Sequence, residues 1–410
     1  MANRAARKVP PVRFKVFEAE WEDERIGNVI VEKKRPIILN DHQRYELITV
    51  KRRSEGIVSR GHLLGRDILV KNYGQLQTGD FVISKRQVVH GATGIVPLAL
   101  DGAIVSNEYL TAVDSDKLLT EFLTIVARLP AMRRKFFLSS YGVDIEKLFF
   151  DTEDWKKRNV TIPGVDEQVR ISSFFRKLDQ LIGLHQRKHD KLEALKKAML
   201  QKMFPQPGAA TPEVRFHDFS GGWVEKKLGD IGIFRRGISY SSKDVSQSGL
   251  LVLRSTNIQN ARLILDSDLQ FINVECPEDI RLRRGDIAIC MSNGSKVLVG
   301  KSATCENDPV HPVTVGAFCS IFRSTNPIAA YLLQTTQYLR YVNELLAGSS
   351  INNLKNSDLS ELVFRVPTDN TEQRKIGVYF RTLDSLIFQH AAQLLKLQQI
   401  KSTCLENMFV

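Results

Sequence analysis

The sequence predicts an α+β protein: two globular segments, each followed by a long helix, with the two helices pairing antiparallel about an internal pseudo-two-fold axis. Three observations predict it. The chain repeats itself, each repeat ends in a long heptad-patterned stretch, and the stretches between carry short β-like runs with one amphipathic helix apiece.

The repeat is clearest at its two ends. Val12-Arg13-Phe14, Phe17, Trp21, Ile26 and Gly27 recur as Val214-Arg215-Phe216, Phe219, Trp223, Leu228 and Gly229, at a constant offset of 202 residues. Residues 166–204 align without a gap on 371–409 at an offset of 205, sharing Glu167/Glu372, Phe175/Phe380, Arg176/Arg381, Asp179/Asp384, His185/His390 and Phe204/Phe409. Between the ends, Gly79-Asp80 before Phe81-Val82-Ile83 matches Gly285-Asp286 before Ile287-Ala288-Ile289. The rest of the two middles looks unrelated. The boundaries that follow are a tail (1–20), a first globular segment (21–165), a central helix (166–206), a linker (207–222), a second globular segment (223–366) and a C-terminal helix (367–410).

Asp166 and Thr371 are the aligned N-cap candidates of the helices, and Pro205 and Pro207 stop the first. Leu178, Leu181, His185, Leu192 and Leu195 form a stripe in the first helix; Leu383, Leu386, His390, Leu397 and Ile400 form one in the second. Neither helix can bury its stripe alone, so the simplest solution is a shared coiled-coil seam. The aligned His185 and His390 read as a polar layer that sets register, with a metal or pH site as the alternative. In the globular segments, Leu118–Leu129 and Ala329–Leu346 read as helices, Leu250–Leu253 and Ile287–Cys290 as strands.

The chain has 410 residues, 43% hydrophobic and 25% charged, enough for several domains with ordinary cores. A net charge of +12 favours an anionic partner, nucleic acid first. Basic and amide side chains gather at expected strand-to-loop edges: Lys51, Arg52, Arg53, Arg60, Lys85, Arg86 and Gln87 in the first segment, and Arg235, Arg236, Arg254, Ser255, Thr256, Asn257, Asn293, Lys296 and Lys301 in the second. Arg reads guanine and Asn or Gln reads adenine in the major groove, while Lys and Arg also neutralise phosphate. For any one of these residues a solvated surface charge is the competing reading.

Chemistry is expected to be absent. The five cysteines are scattered without a CxxC pair, which argues against structural zinc and suits a reducing cytoplasm. The basic start of the chain has no apolar run after it, so no secretory signal is expected, and no stretch is apolar enough for a membrane span. The stretch Gly294–Ser302 ends in Gly-Lys-Ser but has five residues between its glycines and Ser295 where a phosphate loop needs glycine. No methyltransferase tetrad, metalloprotease or hydrolase motif is found.

On these residues the chain resembles the specificity subunits of type I restriction-modification enzymes over nearly its whole length. The resemblance rests on the Val-Arg-Phe…Trp…Gly entries, the Glu-Gln…Phe-Arg-x-Leu-Asp-x-Leu-Ile helices, and the segments Leu253–Ile258 and Gly348–Leu354. It implies two target recognition domains, each reading one half of a split double-stranded DNA site, with the helices recruiting two methyltransferase subunits. Restriction/translocase subunits would join them, and S-adenosylmethionine and ATP would belong to those partners, leaving this chain non-catalytic and without a cofactor. The first segment departs from the pattern: Val50-Lys51-Arg52-Arg53 stands where the second has Arg254-Ser255-Thr256-Asn257-Ile258. A stand-alone DNA-binding or anti-restriction protein on the same frame is the alternative. A coiled-coil scaffold without nucleic acid fits the charge less well.

Overall fold

A computed structural model describes residues 8–69, 72–347 and 352–410. Runs of strands are followed by helices in both units, as in an α+β chain. The chain divides into two units. One runs up to His185 and takes in Gln393–Val410; the other is Gln186–Ala392. Each unit therefore holds one globular segment plus a part of both long helices, where the sequence suggested that the helices stand as segments of their own.

The long helices are Val165–Lys202 and Asn370–Asn407, of 38 residues each and offset by the 205 of the repeat. Asp166 and Thr371 lie inside their first turns and are not the caps. In the second helix Asp369 takes that role, its carboxylate accepting from the Thr371 backbone N–H at 2.6 Å.

The repeated motifs meet one another within each unit. In the first, the Arg13 guanidinium donates from Nε and Nη2 to Glu167, both at 2.7 Å. In the second, Arg215 does the same to Glu372 at 2.6 and 2.7 Å. Both carboxylates are buried, so a two-pronged partner is what makes them tolerable there. Phe14 packs edge-on against Phe174, and Phe216 against Tyr379. Gln168 and Gln373 donate to the carbonyls of Pro163 and Pro367 at each helix entry.

The helix ends close the cores. Phe409 lies 6.1 Å from both Trp21 and Phe175 in the first unit. Phe204 lies 6.4 Å from Trp223 and 5.9 Å from Phe380 in the second. Lys401 pairs with Asp179 at 2.5 Å, and its repeat equivalent Lys196 pairs with Asp384 at 2.6 Å. The stripe is only partly covered. Leu178 and Leu383 are buried, and His185, Leu192, His390 and Leu397 are half-buried. Leu181, Leu195, Leu386 and Ile400 are exposed, which corrects their place in a closed seam.

Each globular segment opens on the same device. Glu22–Arg25 pairs antiparallel with Asn159–Ile162, and Trp223–Lys227 with Val363–Pro367. One turn of helix follows, and its Gly27 or Gly229 sits where a Cβ would lie 3.2 Å from the Cβ of Lys156 or Ser360. That close approach explains the repeated glycine. The Gly-Asp turns also agree: Gly79 and Gly285 have φ of +90° and +88°, a region that favours glycine. Asp80 is held by Arg35 and Asp286 by Arg323, each through two guanidinium nitrogens, so the same buried carboxylate is satisfied from different parts of the chain.

Beyond these devices the middles diverge. Among the described residues the first unit has sheets of four and five strands, with Phe81–Ser84 inside the four. The second has sheets of six and four; Ile287–Cys290 lies inside the six and Leu250–Leu253 inside the four. The expected helix at 118–129 is Thr120–Val126, and a second one, Pro130–Leu138, follows with Pro130 at its start. The expected helix at 329–346 is two, Ala329–Leu332 and Thr336–Ala347. Thr335 breaks it: its hydroxyl donates to the Leu332 carbonyl and accepts from the Tyr338 N–H, which is how a hydroxyl starts a new helix.

Candidate nucleic-acid interface

In the second unit four loops converge at sheet ends. The residues after Ile233–Arg236, Leu250–Leu253 and Ile287–Cys290, and the turn between Val313–Val315 and Cys319–Arg323, line one open cleft of about 850 Å³. Arg254, Ser255, Thr256 and Asn293 line it, as do Tyr240 and Phe318, which sequence reasoning did not single out. Phe318 is 68% exposed.

Hydrogen bonds join the cleft walls. Asn293 Nδ2 donates to Ser255 Oγ at 2.9 Å, tying the two loops together. Asn352 and Asn353 lie against the same wall: Asn352 Nδ2 donates to the Gly294 carbonyl, and Asn353 bridges Ser292. These are part of the Gly348–Leu354 segment; Gly348, Ser349, Ser350 and Ile351 lie outside the described residues. Two stretches singled out in the sequence thus meet the same loop, Ser292–Gly294. Arg236 donates to the Ala317 carbonyl behind Phe318, and Arg235 faces Asp279 at 3.5 Å.

Asn257 requires a correction. It is 1% exposed, and its amide is spent inside the protein, donating to the carbonyls of Ile264, Ser267 and Asp268 while its oxygen accepts from Arg254 N–H. A base cannot reach it; it holds a loop. Lys296 and Lys301 do not line the cleft. Their segment turns once at Lys296–Leu298 and enters a strand at Ser302, so no helix N-terminus is there to receive a phosphate.

Arg254 donates through Nη2 to Asp268 at 2.5 Å. Thr256 bonds to the same carboxylate, and this bond, ahead of the neighbouring Arg254 charge, holds Asp268 below the usual carboxylate range. At the cleft floor Cys319 is paired with Cys290 across the strands. The bond between the thiols pushes Cys319 up and Cys290 down.

In the first unit most of these residues sit on turns, and of them Lys85 lines a pocket, a smaller one of about 310 Å³ that it shares with Lys33, Lys34 and Arg35. Arg52 donates to Gln87 at 2.7 Å and to Glu146 at 2.6 Å. Arg53 and Ser54 both take a left-handed backbone, φ +58° and +57°, so this turn presents exposed Lys51, Arg52 and Arg53 on a strained bend. Lys85 donates to the Asn107 carbonyl. Arg86 bonds to Glu108 at 2.7 Å and lies 5.1 Å over the Phe149 ring. Arg60 is exposed on the strand Ile57–Leu64, and its charge opposes the burial that raises the Tyr109 phenol. The acidic partners Glu146, Glu108 and Asp268 were invisible in the sequence, because contact between distant loops leaves no spacing to read.

Among the described residues no group of three or more His, Cys, Asp or Glu side chains could hold a metal ion, and no helix is long and apolar enough to cross a membrane.

No family model matches the chain. The type I restriction enzyme StySPI specificity subunit of Salmonella potsdam is 29% identical over 188 residues, 44% of this chain and 39% of that protein. The chain's match thus spans about two fifths of that relative's length. The type I restriction enzyme MjaVIII specificity subunit of Methanocaldococcus jannaschii is 21% identical over 391 residues, 90% of this chain and 87% of that protein. A solved type I restriction-modification S subunit from M. genitalium shares the fold, with a TM-score of 0.57 at 16% identity, covering 98% of this chain and 99% of that one. The chain is similar in sequence to type I restriction specificity subunits, as its motifs implied.

Proposed function

We propose that this chain is the DNA-reading specificity subunit of a type I restriction-modification complex and performs no chemistry itself. In this reading each globular segment is a target recognition domain for one half of a split duplex site. The long helices run antiparallel about a pseudo-two-fold axis, hold the two readers at a set separation and recruit two methyltransferase subunits. Restriction/translocase subunits complete the assembly, and S-adenosylmethionine and ATP belong to the partners. The working place would be the cytoplasm, where that machinery meets DNA.

One observation carries the reading: a repeated frame around unlike inserts. The Arg13–Glu167 and Arg215–Glu372 pairs, the Trp21 and Trp223 cores and the equal helices recur in both units, while the sheets and the basic loops differ. A frame kept twice around two different basic surfaces suits a protein that must read two different sequences. The net charge of +12 supplies the attraction to phosphate that such reading needs.

The test is reconstitution. The purified chain with S-adenosylmethionine leaves DNA unmethylated; with a cognate methyltransferase subunit added, methyl groups appear at one split sequence. Methylation by the chain alone overturns the proposal. A stand-alone DNA-binding or anti-restriction role would instead show DNA binding with no gain of methylation from any methyltransferase.

A further inference from the structure

We propose that Arg254 and Asp268 act as one reader of a single G·C base pair in the major groove, Arg254 donating to guanine and Asp268 accepting from the cytosine amino group. The inference rests on the DNA-reading function proposed above and names the base pair that one site takes.

The pair is built rather than incidental. Buried Asn257 accepts from the Arg254 backbone N–H and donates to the Asp268 carbonyl, so one buried amide fixes both ends. Asp268 holds a left-handed backbone at φ +52°, a conformation that costs energy and persists only where surroundings impose it. Both side chains remain open to solvent, 40% for Arg254 and 54% for Asp268, and Arg254 lines the cleft. Arg254 Nε is buried and unpartnered among the described residues, and Nη2 alone meets Asp268, so Nη1 is the nitrogen left to donate outward.

The chemistry selects a base over a phosphate. A phosphate brought to Arg254 meets the fixed negative charge of Asp268 beside it, which opposes binding. A G·C edge offers acceptors at guanine N7 and O6 next to a donor at cytosine N4. A guanidinium with a carboxylate at its side presents the complementary donors and acceptor. An A·T edge places the adenine N6 donor against the guanidinium and offers the carboxylate only the thymine O4 acceptor. That mismatch gives discrimination.

The test uses the full chain assembled with its methyltransferase subunits and a randomised duplex library. The unmodified complex selects a split site containing a G·C pair in one half. Arg254→Ala loses the preference at that pair by about ten- to a hundredfold and keeps the other half-site. Arg254→Lys keeps overall binding but loses most of the same preference, since an ammonium cannot make the two-pronged contact. Asp268→Asn, which retains the left-handed turn, loses a smaller share at the same pair. Replacing that guanine by 7-deazaguanine weakens the unmodified complex and leaves Arg254→Ala unaffected. If Arg254→Ala weakens all sequences alike, or 7-deazaguanine costs the variant as much as the parent, the inference falls while the DNA-reading function stands. If the unmodified complex selects no sequence, the function itself falls and the inference with it.

Discussion

The two globular segments hold their exposed arginines in opposite ways. In the first, Arg52 sits on a strained turn and is met by Glu146 from a distant loop whose neighbours Val143 and Ile145 face solvent. In the second, Arg254 is set at the edge of a cleft by the buried amide of Asn257 and by Asp268. The frames around them share the buried Arg–Glu pair, the paired entry strands and the Trp–Phe closure. Duplication has therefore kept what buries side chains and changed what faces outward. Energetics favours that division: a buried Glu without its Arg is costly, whereas an exposed Arg exchanges partners at little cost.

The largest expected effect tests whether the frames are equivalent. Arg13→Ala and Arg215→Ala each leave a buried carboxylate uncompensated and should each destabilise by about 3–5 kcal/mol in chemical denaturation. Phe380→Ala, which removes a ring stacked on Phe204, should cost about 3–5 kcal/mol. Losses of unequal size for the two arginines would mean that the units do not share one frame energetically.

The helices offer a sharper test of what the frame is for. Four residues inserted between Gln186 and Lys197 lengthen that helix by roughly 6 Å while turning it by little more than one revolution. At roughly 3.4 Å per base pair, methylated half-sites should move about one or two base pairs apart with their sequences intact. An unchanged spacer in the methylated sites would separate the helices from any role in spacing.

The arginines should then differ by kind. Arg254→Ala should cost about 1–3 kcal/mol on the cognate duplex and far less on others, as a base contact does. Arg52→Ala should weaken binding alike on all sequences and lower the salt slope by about one, as a phosphate contact does. Titrating salt against cognate and scrambled duplexes distinguishes them; identical behaviour would erase the contrast between the units.

The smallest effect concerns pH. Asp268 is held below the ordinary carboxylate value of 3.8, so its contribution is present above that value and lost only as pH falls through the lowered one. Discrimination at its base pair should therefore be flat between about pH 5 and 8. A decline already near neutrality would show that another group controls the contact.

Residues that repeat were legible in the sequence alone. Trp21, Trp223, Glu167 and Glu372 stand at fixed offsets because each pair fills the same buried place in its unit. The inserts were not legible. Asn257 looked like a base reader because its residue type is right, yet burial decides its role and burial is a property of the folded sheet. Phe318, Asp268 and Glu146 carry no motif; each matters through a contact across 14 or more residues or through its exposure. Thr335 was readable as a helix breaker in principle, but the apolar run on both sides hid it.

The most direct test of two separate readers on one frame is segment exchange. Residues 223–366 are replaced by the same segment of a relative, the complex is assembled with its methyltransferase, and methylated sites are mapped across a genome. One half of the split site should change, while the other half and the spacer stay as they were. Change in both halves, or in neither, would contradict the account.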